Sequence, residues 1–297
     1  MTVEAGHWKS PESLPDATRL SHKTVVVKYG GNAMTSDELK RAVALDLACL
    51  QSIGTNLVVV HGGGPDINQA MLRMGKKPTF VSGLRITDEE TMEIVQMVLC
   101  GKVNKEIVSL VQSEGGKAVG LSGHDAGLIR ARRRVPERVV DRATGEERLV
   151  DLGQVGDVEE ISPAILHVLI RAGYIPVVST VGVGEGGCAY NINADYAAAE
   201  IARALLADTL VMLTDVLGIF SDYADESTLI KRLTVKDARV MMSDGRVEGG
   251  MVPKVQSCIR AVEGGVRGAH IIDGRLPHSI ALQLCTHAGI GTQLVLE

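Results

Sequence analysis

Three consecutive glycines after an apolar run constrain this chain more than any other feature. Val58-Val59-Val60 leads through His61 into Gly62-Gly63-Gly64-Pro65, and a helical pattern follows from Asp66 to Met74. That order reads as buried strand, tight turn, helix N-terminus. Glycines let the backbone turn sharply with its N–H groups uncovered, and those groups together with the helix dipole can hold an anion. A plain strand-to-helix turn is the alternative; three glycines flanked by His61 and Pro65 favour a binding loop. The spacing is neither GxGxxG nor GxxxxGKS/T, so neither the dinucleotide fingerprint nor the Walker loop applies. The positive partner of a bound anion must come from elsewhere in the chain.

Val25-Val26-Val27-Lys28-Tyr29-Gly30-Gly31 is a second buried strand ending in glycine, and Thr35 or Ser36 can cap the helix that carries Leu39, Val43, Leu47 and Leu50. With the triple-glycine strand this makes a βαβ unit of right-handed crossover. Residues 1–22 contain Pro11 and Pro15 and no periodicity, and read as a mobile N-terminal arm. A long helical pattern runs from Thr87 to Ser113, with Gly101 a potential interruption. Ala118–Gly123 is a third strand. Leu128–Val135 and Arg148–Val155 read as a hairpin around a turn at Ala143-Thr144-Gly145, its run of Arg130, Arg132, Arg133 and Arg134 a solvated face balanced by Glu137 and Asp141.

Further on come a helix over 162–172, a strand over 175–179, and a glycine-rich stretch at 184, 186 and 187 that marks a lobe boundary near Gly182. An alanine-rich helix opened by Asn191-Ile192-Asn193-Ala194-Asp195, a strand over 209–215, a helix over 253–262, a strand over 269–273 and a helix over 278–287 complete the chain. Strands alternating with helices indicate an α/β fold with an open, mainly parallel sheet sandwiched between helices, in two lobes: 23–181 and 182–297.

Composition narrows the function classes. With 297 residues, 45% hydrophobic, the chain can bury roughly three quarters of its unfolded surface. One Trp, two Phe and five Tyr give no base-stacking platform, and a net charge of −5 gives no positive field for a phosphate backbone, so nucleic acid is not an expected partner. Five cysteines without a CxxC pair suggest neither a disulfide framework nor a zinc site and fit a reducing cytoplasm. No apolar run approaches the ~18 residues that span a bilayer, so no membrane is expected.

In such sheets ligands bind beyond the carboxyl ends of the strands, where the candidate residues cluster. Lys28 stands in an otherwise apolar strand just before Gly30-Gly31; a snorkelling edge lysine is the alternative, and an anionic ligand explains the position better. Asn191, Asn193 and Asp195 lead into a helix that needs only one cap, so at least one can face a ligand, and a carboxylate there can orient a pair of lysines. Lys254, after Gly249-Gly250-Met251-Val252-Pro253, is the second basic candidate, though taken alone it reads as a surface lysine. Arg85 can present a fork to a carboxylate or form a surface ion pair with Asp88 or Glu89. His61 reads as structural. No Ser-His-Asp or metal-ligand spacing occurs.

Taken together, Val-Val-Val-Lys28-Tyr-Gly-Gly, Val-His-Gly-Gly-Gly-Pro, Gly-Leu-Arg85, Tyr-Asn191-Ile-Asn193-Ala-Asp195, Leu-Thr-Asp215-Val-Leu-Gly218 and Gly-Gly-Met-Val-Pro-Lys254 resemble the N-acetylglutamate kinase branch of the amino acid kinase family, in the family's order from about Lys23 to Glu297. The resemblance implies transfer of the ATP γ-phosphoryl to the side-chain carboxylate of N-acetyl-L-glutamate in arginine biosynthesis, with Mg²⁺ carried by the nucleotide and no metal ligand supplied by the protein. It implies that Lys28 and Lys254 stabilise the transferring phosphoryl and Asp195 holds both lysines. It implies further that Gly63, Gly64, Arg85 and Asn191 bind the acceptor, that Gly30 and Gly31 bind phosphate, and that Asp215, Gly218, Phe220, Arg246 and Glu248 lie around the nucleotide. On this template the first lobe carries acceptor binding and dimerisation, the second ATP.

The chain also departs from the family's pattern. Arginine-inhibited relatives carry an N-terminal amphipathic helix and a glutamate in the C-terminal helix; here residues 1–22 show no such pattern and Gln283 stands at the glutamate's place. A neutral amide forgoes the charge-assisted pair that a guanidinium prefers. Weak or absent arginine inhibition and a homodimer rather than a hexamer are the expectations. His124 and Tyr196 stand where many relatives have a lysine and a smaller residue, which leaves open a paralogue acting on another acidic substrate; a non-catalytic amino-acid or nucleotide sensor is the other alternative.

Overall fold

The computed structural model describes residues 17–34, 36–140, 147–287 and 289–297; most of the expected arm, the Thr35 cap, Asp141 and the turn at 143–145 lie outside the described residues. The run Thr24–Tyr29 forms strand β1, Ser36 caps α1 (Asp37–Ser52) by accepting from Leu39 N, and β2 (Asn56–His61) lies parallel to β1. This is the expected βαβ unit. Helix α2 (Gly64–Arg73) leaves the triple glycine, and the short hairpin of β3 (Phe80–Val81) and β4 (Leu84–Arg85) follows. An unbroken helical rod then runs through α3 (Glu89–Gln96), a π-helical segment (Met97–Val103) and α4 (Asn104–Ser113). Gly101 falls inside the π segment and does not interrupt the rod.

After β5 (Ala118–Ser122) come β6 (Ile129–Arg133), β7 (Glu137–Val140), β8 (Glu147–Val150) and β9 (Val155–Ile161). The expected single hairpin is in fact two nested ladders: β7 pairs with β8, and β6 pairs with β9, Ile129 opposite Ile161. Acids at 157, 159 and 160 on β9 answer the arginine run across the ladder, Arg130 meeting Glu160 and Arg134 meeting Asp157.

Helix α5 (Ala164–Arg171) leads to β10 (Ile175–Ser179), β11 (Val181–Val183) and β12 (Ala189–Ile192). Gly184, Gly186 and Gly187 close the β11–β12 hairpin, the last two at φ of 66° and 81°, where a side chain would be strained. Asn191 therefore belongs to a strand, not to the start of the helix; β11, β12, β9 and β6 close into a small barrel. The remaining elements are α6 (Ala194–Ala204), β13 (Thr209–Thr214), β14 (Arg232–Thr234), α7 (Val235–Ser243), α8 (Met251–Glu263), β15 (Gly268–Asp273), α9 (Ser279–Cys285) and β16 (Thr292–Val295).

Eight strands form one sheet in the order β14-β16-β15-β13-β1-β2-β10-β5, every neighbouring pair parallel except β15 and β16. Because side chains alternate along a strand, the continuous valine runs serve two cores. Val26, Val58, Val60 and Met212 pack under α5, α6 and α8, whereas Val25, Val27, Val59 and Val211 pack under α1, the α3–α4 rod and α9. No helix among the described residues is long and apolar enough to cross a membrane, and the five cysteines are free.

His61 ends β2 on the second of these faces and is fully buried. Its Nδ1–H donates to the Gly62 carbonyl at 2.9 Å and its Nε2 accepts from the Asn104 amide at 3.1 Å, so both ring nitrogens are satisfied by the neutral imidazole. Burial pushes its pKa down to about 4. The unfolded chain thus takes up a proton that the folded chain refuses between pH 6.5 and 4, and stability falls as pH drops through that window. Urea unfolding is expected to show a slope between pH 6.5 and 5 that flattens by up to about 1.4 kcal/mol per pH unit in His61→Gln; identical slopes would contradict a neutral, buried His61.

Candidate active site

The alternation that separates the cores also aims Lys28. Two residues beyond Val26, it shares the face covered by α6 and α8, and it is 7% exposed. Helix α6 approaches that face closely because Ala197, Ala198, Ala199 and Ala202 are its packing surface. Its cap is Asn193, whose Oδ1 accepts from Asp195 N at 2.8 Å and Tyr196 N at 3.2 Å. With the cap supplied, the Asp195 carboxylate is released for other partners. Lys28 Nζ lies 2.9 Å from its Oδ1, and Lys254 Nζ, from the first turn of α8, donates to its Oδ2 at 3.0 Å.

Burial alone would raise the Asp195 carboxyl, but the Lys28 and Lys254 ammoniums outweigh it and hold it below the ordinary carboxylate range. Two ammoniums share one carboxylate, so the triad carries one uncompensated positive charge. Burying such a charge is costly unless an anion completes it. The Lys28 ammonium thus faces Oδ1 and the Lys254 ammonium faces Oδ2, one on each carboxylate oxygen.

Two cavities meet at Lys28. One, of about 220 Å³, is lined by Gly63, Gly64, Arg85, Asn191 and Asp195 as well as by Lys28; the other, of about 440 Å³, is lined by Gly30, Gly31, Asp215, Glu248 and Lys254 as well as by Lys28. The Gly62 N–H is spent on the Tyr29 carbonyl at 3.0 Å, whereas those of Gly63 and Gly64, at the start of α2, make no bond to protein among the described residues. Gly218, Phe220 and Arg246 do not line the second cavity. Gly218 is packed against Thr292 and Leu229, Phe220 is buried against Tyr223, and Arg246 is paired with Asp244.

Arg85 is 6% exposed and does not form the surface ion pair that Asp88 and Glu89 suggested. Asp88 instead accepts from Lys76 and caps α3 through Thr91 N. The Arg85 guanidinium donates to the Gly64 carbonyl at 3.2 Å and lies 4.8 Å over the Phe80 ring, with no carboxylate partner among the described residues. A buried guanidinium facing a cavity is suited to an anionic group of a ligand. Phe80, Thr180 and Leu99, which also line this cavity, escaped the sequence reading; only Phe80, one of two phenylalanines, had a signal to notice.

A model described as "Amino acid kinase family" matches residues 23–273 of this sequence. The chain belongs to the amino acid kinase family. An acetylglutamate kinase of Heliobacterium modesticaldum is 53% identical to it over 284 residues, 96% of each chain. Among solved structures, the N-acetylglutamate synthase of Neisseria gonorrhoeae, determined with coenzyme A and N-acetyl-glutamate, superposes at a TM-score of 0.79 with 26% identity; the match covers 95% of this chain and spans only 61% of that longer one. The carbamate kinase of Giardia lamblia bound to AMP-PNP shares the fold at a TM-score of 0.65 and 18% identity, over 92% of this chain and 98% of that one.

Within this family fold, the unusual His124 and Tyr196 stay outside both cavities at Lys28: His124 Nε2 is 3.1 Å from the Gly182 carbonyl, and the Tyr196 hydroxyl donates to Gln256 at 2.9 Å. Neighbouring glycines of the loop face different surroundings. A Cβ on Gly63 would lie 2.7 Å from Leu99 Cδ2, while one on Gly64 would meet nothing within 4 Å. Gly63→Val is therefore expected to cost about 1–3 kcal/mol of stability by overpacking, whereas Gly64→Val is expected to melt like the parent and, if the smaller cavity takes the acceptor, to lose acceptor use before nucleotide binding. Equal melting losses in the two variants, or loss of nucleotide binding alone in Gly64→Val, would contradict these placements.

Proposed function

We propose that the chain is an acetylglutamate kinase, transferring the γ-phosphoryl of ATP to the side-chain carboxylate of N-acetyl-L-glutamate to give N-acetyl-L-glutamyl 5-phosphate in arginine biosynthesis. The observation that carries this reading is Lys28, which lines both cavities and shares Asp195 with Lys254. The near-full-length relatives of that name support it. The acceptor takes the smaller cavity, its α-carboxylate gripped by Arg85 and Asn191 and its reacting carboxylate near the N–H groups of Gly63 and Gly64. The nucleotide takes the larger cavity, with Gly30 and Gly31 toward its phosphates and Asp215 and Glu248 on its wall. Residues 23–181 thus carry most of the acceptor side and 182–297 most of the nucleotide side, with Asn191 and Asp195 reaching across.

A carboxylate nucleophile is already ionised near pH 7, so the reaction requires no general base. What remains is to bring two anions together and to neutralise charge as the phosphoryl moves. Lys28 and Lys254 supply that charge from separate elements, and Asp195 holds them close despite their repulsion. When bound, Mg²⁺ would be carried by the nucleotide phosphates and would supply charge neutralisation there; Asp195 fits no role in holding it, because both its oxygens face lysines, and Asp215 and Glu248 are the carboxylates on that cavity's wall.

The protein acts as a cytoplasmic homodimer on this reading, with weak arginine inhibition. Gln283 is committed within the protein, its amide NH₂ donating to His270 Nδ1 at 3.0 Å and its Oε1 accepting from Gly291 N at 3.2 Å. A hydroxamate assay for acyl phosphate, run over N-acetyl-L-glutamate, other N-acylated amino acids, aminoadipate and carbamate, is expected to give the highest kcat/KM with N-acetyl-L-glutamate and little change on adding L-arginine. A higher value with another acid moves the substrate, and no product from any of them sinks the kinase reading. In the same assay Lys28→Ala and Lys254→Ala are each expected to lower kcat about 10²-fold or more with a modest change in KM; normal turnover in either removes the role assigned to it.

A further inference from the structure

Arg85 and Asn191 stand on separate elements, one ending the β3–β4 hairpin and the other on β12, more than 100 positions apart in sequence by the numbering, yet a single buried hydroxyl touches both. Thr87 is completely buried; its Oγ1 donates to the Arg85 carbonyl at 2.9 Å and accepts from Asn191 Nδ2 at 3.2 Å. The direction of this relay is forced. A carbonyl can only accept, so the one hydroxyl proton goes to Arg85, and the oxygen can then only accept from Asn191. The Asn191 amide is thereby oriented with its NH₂ end toward Thr87, leaving one N–H and Oδ1 without protein partners among the described residues.

The backbone of Thr87 is fixed as firmly as its side chain. Its N–H donates to the Leu152 carbonyl at 2.9 Å, its carbonyl accepts from Gln154 N at 2.6 Å, and Gln154 passes the link on by accepting from Asn191 N at 2.9 Å. Gly153 between them sits at a φ of 73°, and a Cβ there would lie 2.3 Å from the Thr87 carbonyl, so the clamp closes only around glycine. The segment leading into β9 thus locks Thr87 and Asn191 in one frame.

We infer that Thr87 is a positioning residue for acceptor binding: its hydroxyl sets the Asn191 amide and the Arg85 backbone in the geometry that receives the acceptor's carboxylate. This rests on the acetylglutamate kinase reading only for the identity of the acceptor. Thr87→Val keeps the shape and removes both hydrogen bonds; Thr87→Ser keeps the bonds. Steady-state kinetics are expected to show KM for N-acetyl-L-glutamate about tenfold higher in Thr87→Val, kcat within about threefold, KM for ATP unchanged, and recovery in Thr87→Ser. In an Asn191→Ala background the further effect of Thr87→Val should shrink to less than about twofold, a coupling that general loosening of the fold would not produce. An unchanged acceptor KM in Thr87→Val, equal losses for acceptor and ATP, or undiminished effects in the Asn191→Ala background would each overturn the inference while leaving the kinase reading in place. A parent protein that makes acyl phosphate from a different acid moves only the substrate, and the same comparison on that acid decides the role of Thr87.

Discussion

One carboxylate between two ammoniums is the interaction on which the rest of this site depends. Lys28 and Lys254 come from β1 and α8, and without Asp195 a buried and a half-buried positive charge would face each other. Breaking such an arrangement by removing a partner is far more costly than its net contribution to stability, because desolvated charges are left exposed to one another. The triad is therefore better understood as a device for holding positive charge where an anion will arrive than as a brace for the fold. On the function proposed here, its residual single charge between the two cavities is the electrostatic reason for placing the transferred phosphoryl group at their junction.

The fold delivers this triad by simple means. Strand periodicity puts Lys28 on the face covered by α6 and α8, a small-residue helix lets α6 come close, and Asn193 takes the capping duty that would otherwise engage Asp195. The triple glycine meets the same point from the other side, at the N-terminus of α2, with two N–H groups uncommitted among the described residues. Lys28 lies toward the carboxyl end of β1 and the glycine N–H groups follow the carboxyl end of β2, as expected for open α/β sheets, while Lys254 arrives on the first turn of α8 and Arg85 on the separate β3–β4 hairpin.

Much of this was legible in the sequence because central parallel strands are buried on both faces and leave unbroken apolar runs, as in Val25–Val27 and Val58–Val60. The family motifs named Lys28, Asp195 and Lys254, and the structure brings these three together. What could not be read was pairing at a distance. The acidic β9 found its partner only through the arginines of β6, and Asn191 became a strand residue only through ladders with β11 and β9. Thr87 was invisible because a threonine beside an aspartate N-cap looks like local turn chemistry; its contacts lie in segments remote from it in the chain.

The central claim is that Asp195 serves the two lysines and not the fold or a proton transfer. The most direct test is the pre-steady-state and steady-state kinetics of Asp195→Asn, which keeps the shape of the side chain and removes its charge. The account predicts a folded protein that still binds nucleotide but turns over about 10²-fold more slowly or worse, with no shift in the pH at which activity is lost on the acid side. Turnover within about threefold of the parent would show that the lysines do not need the shared carboxylate, and the account would fail at its core.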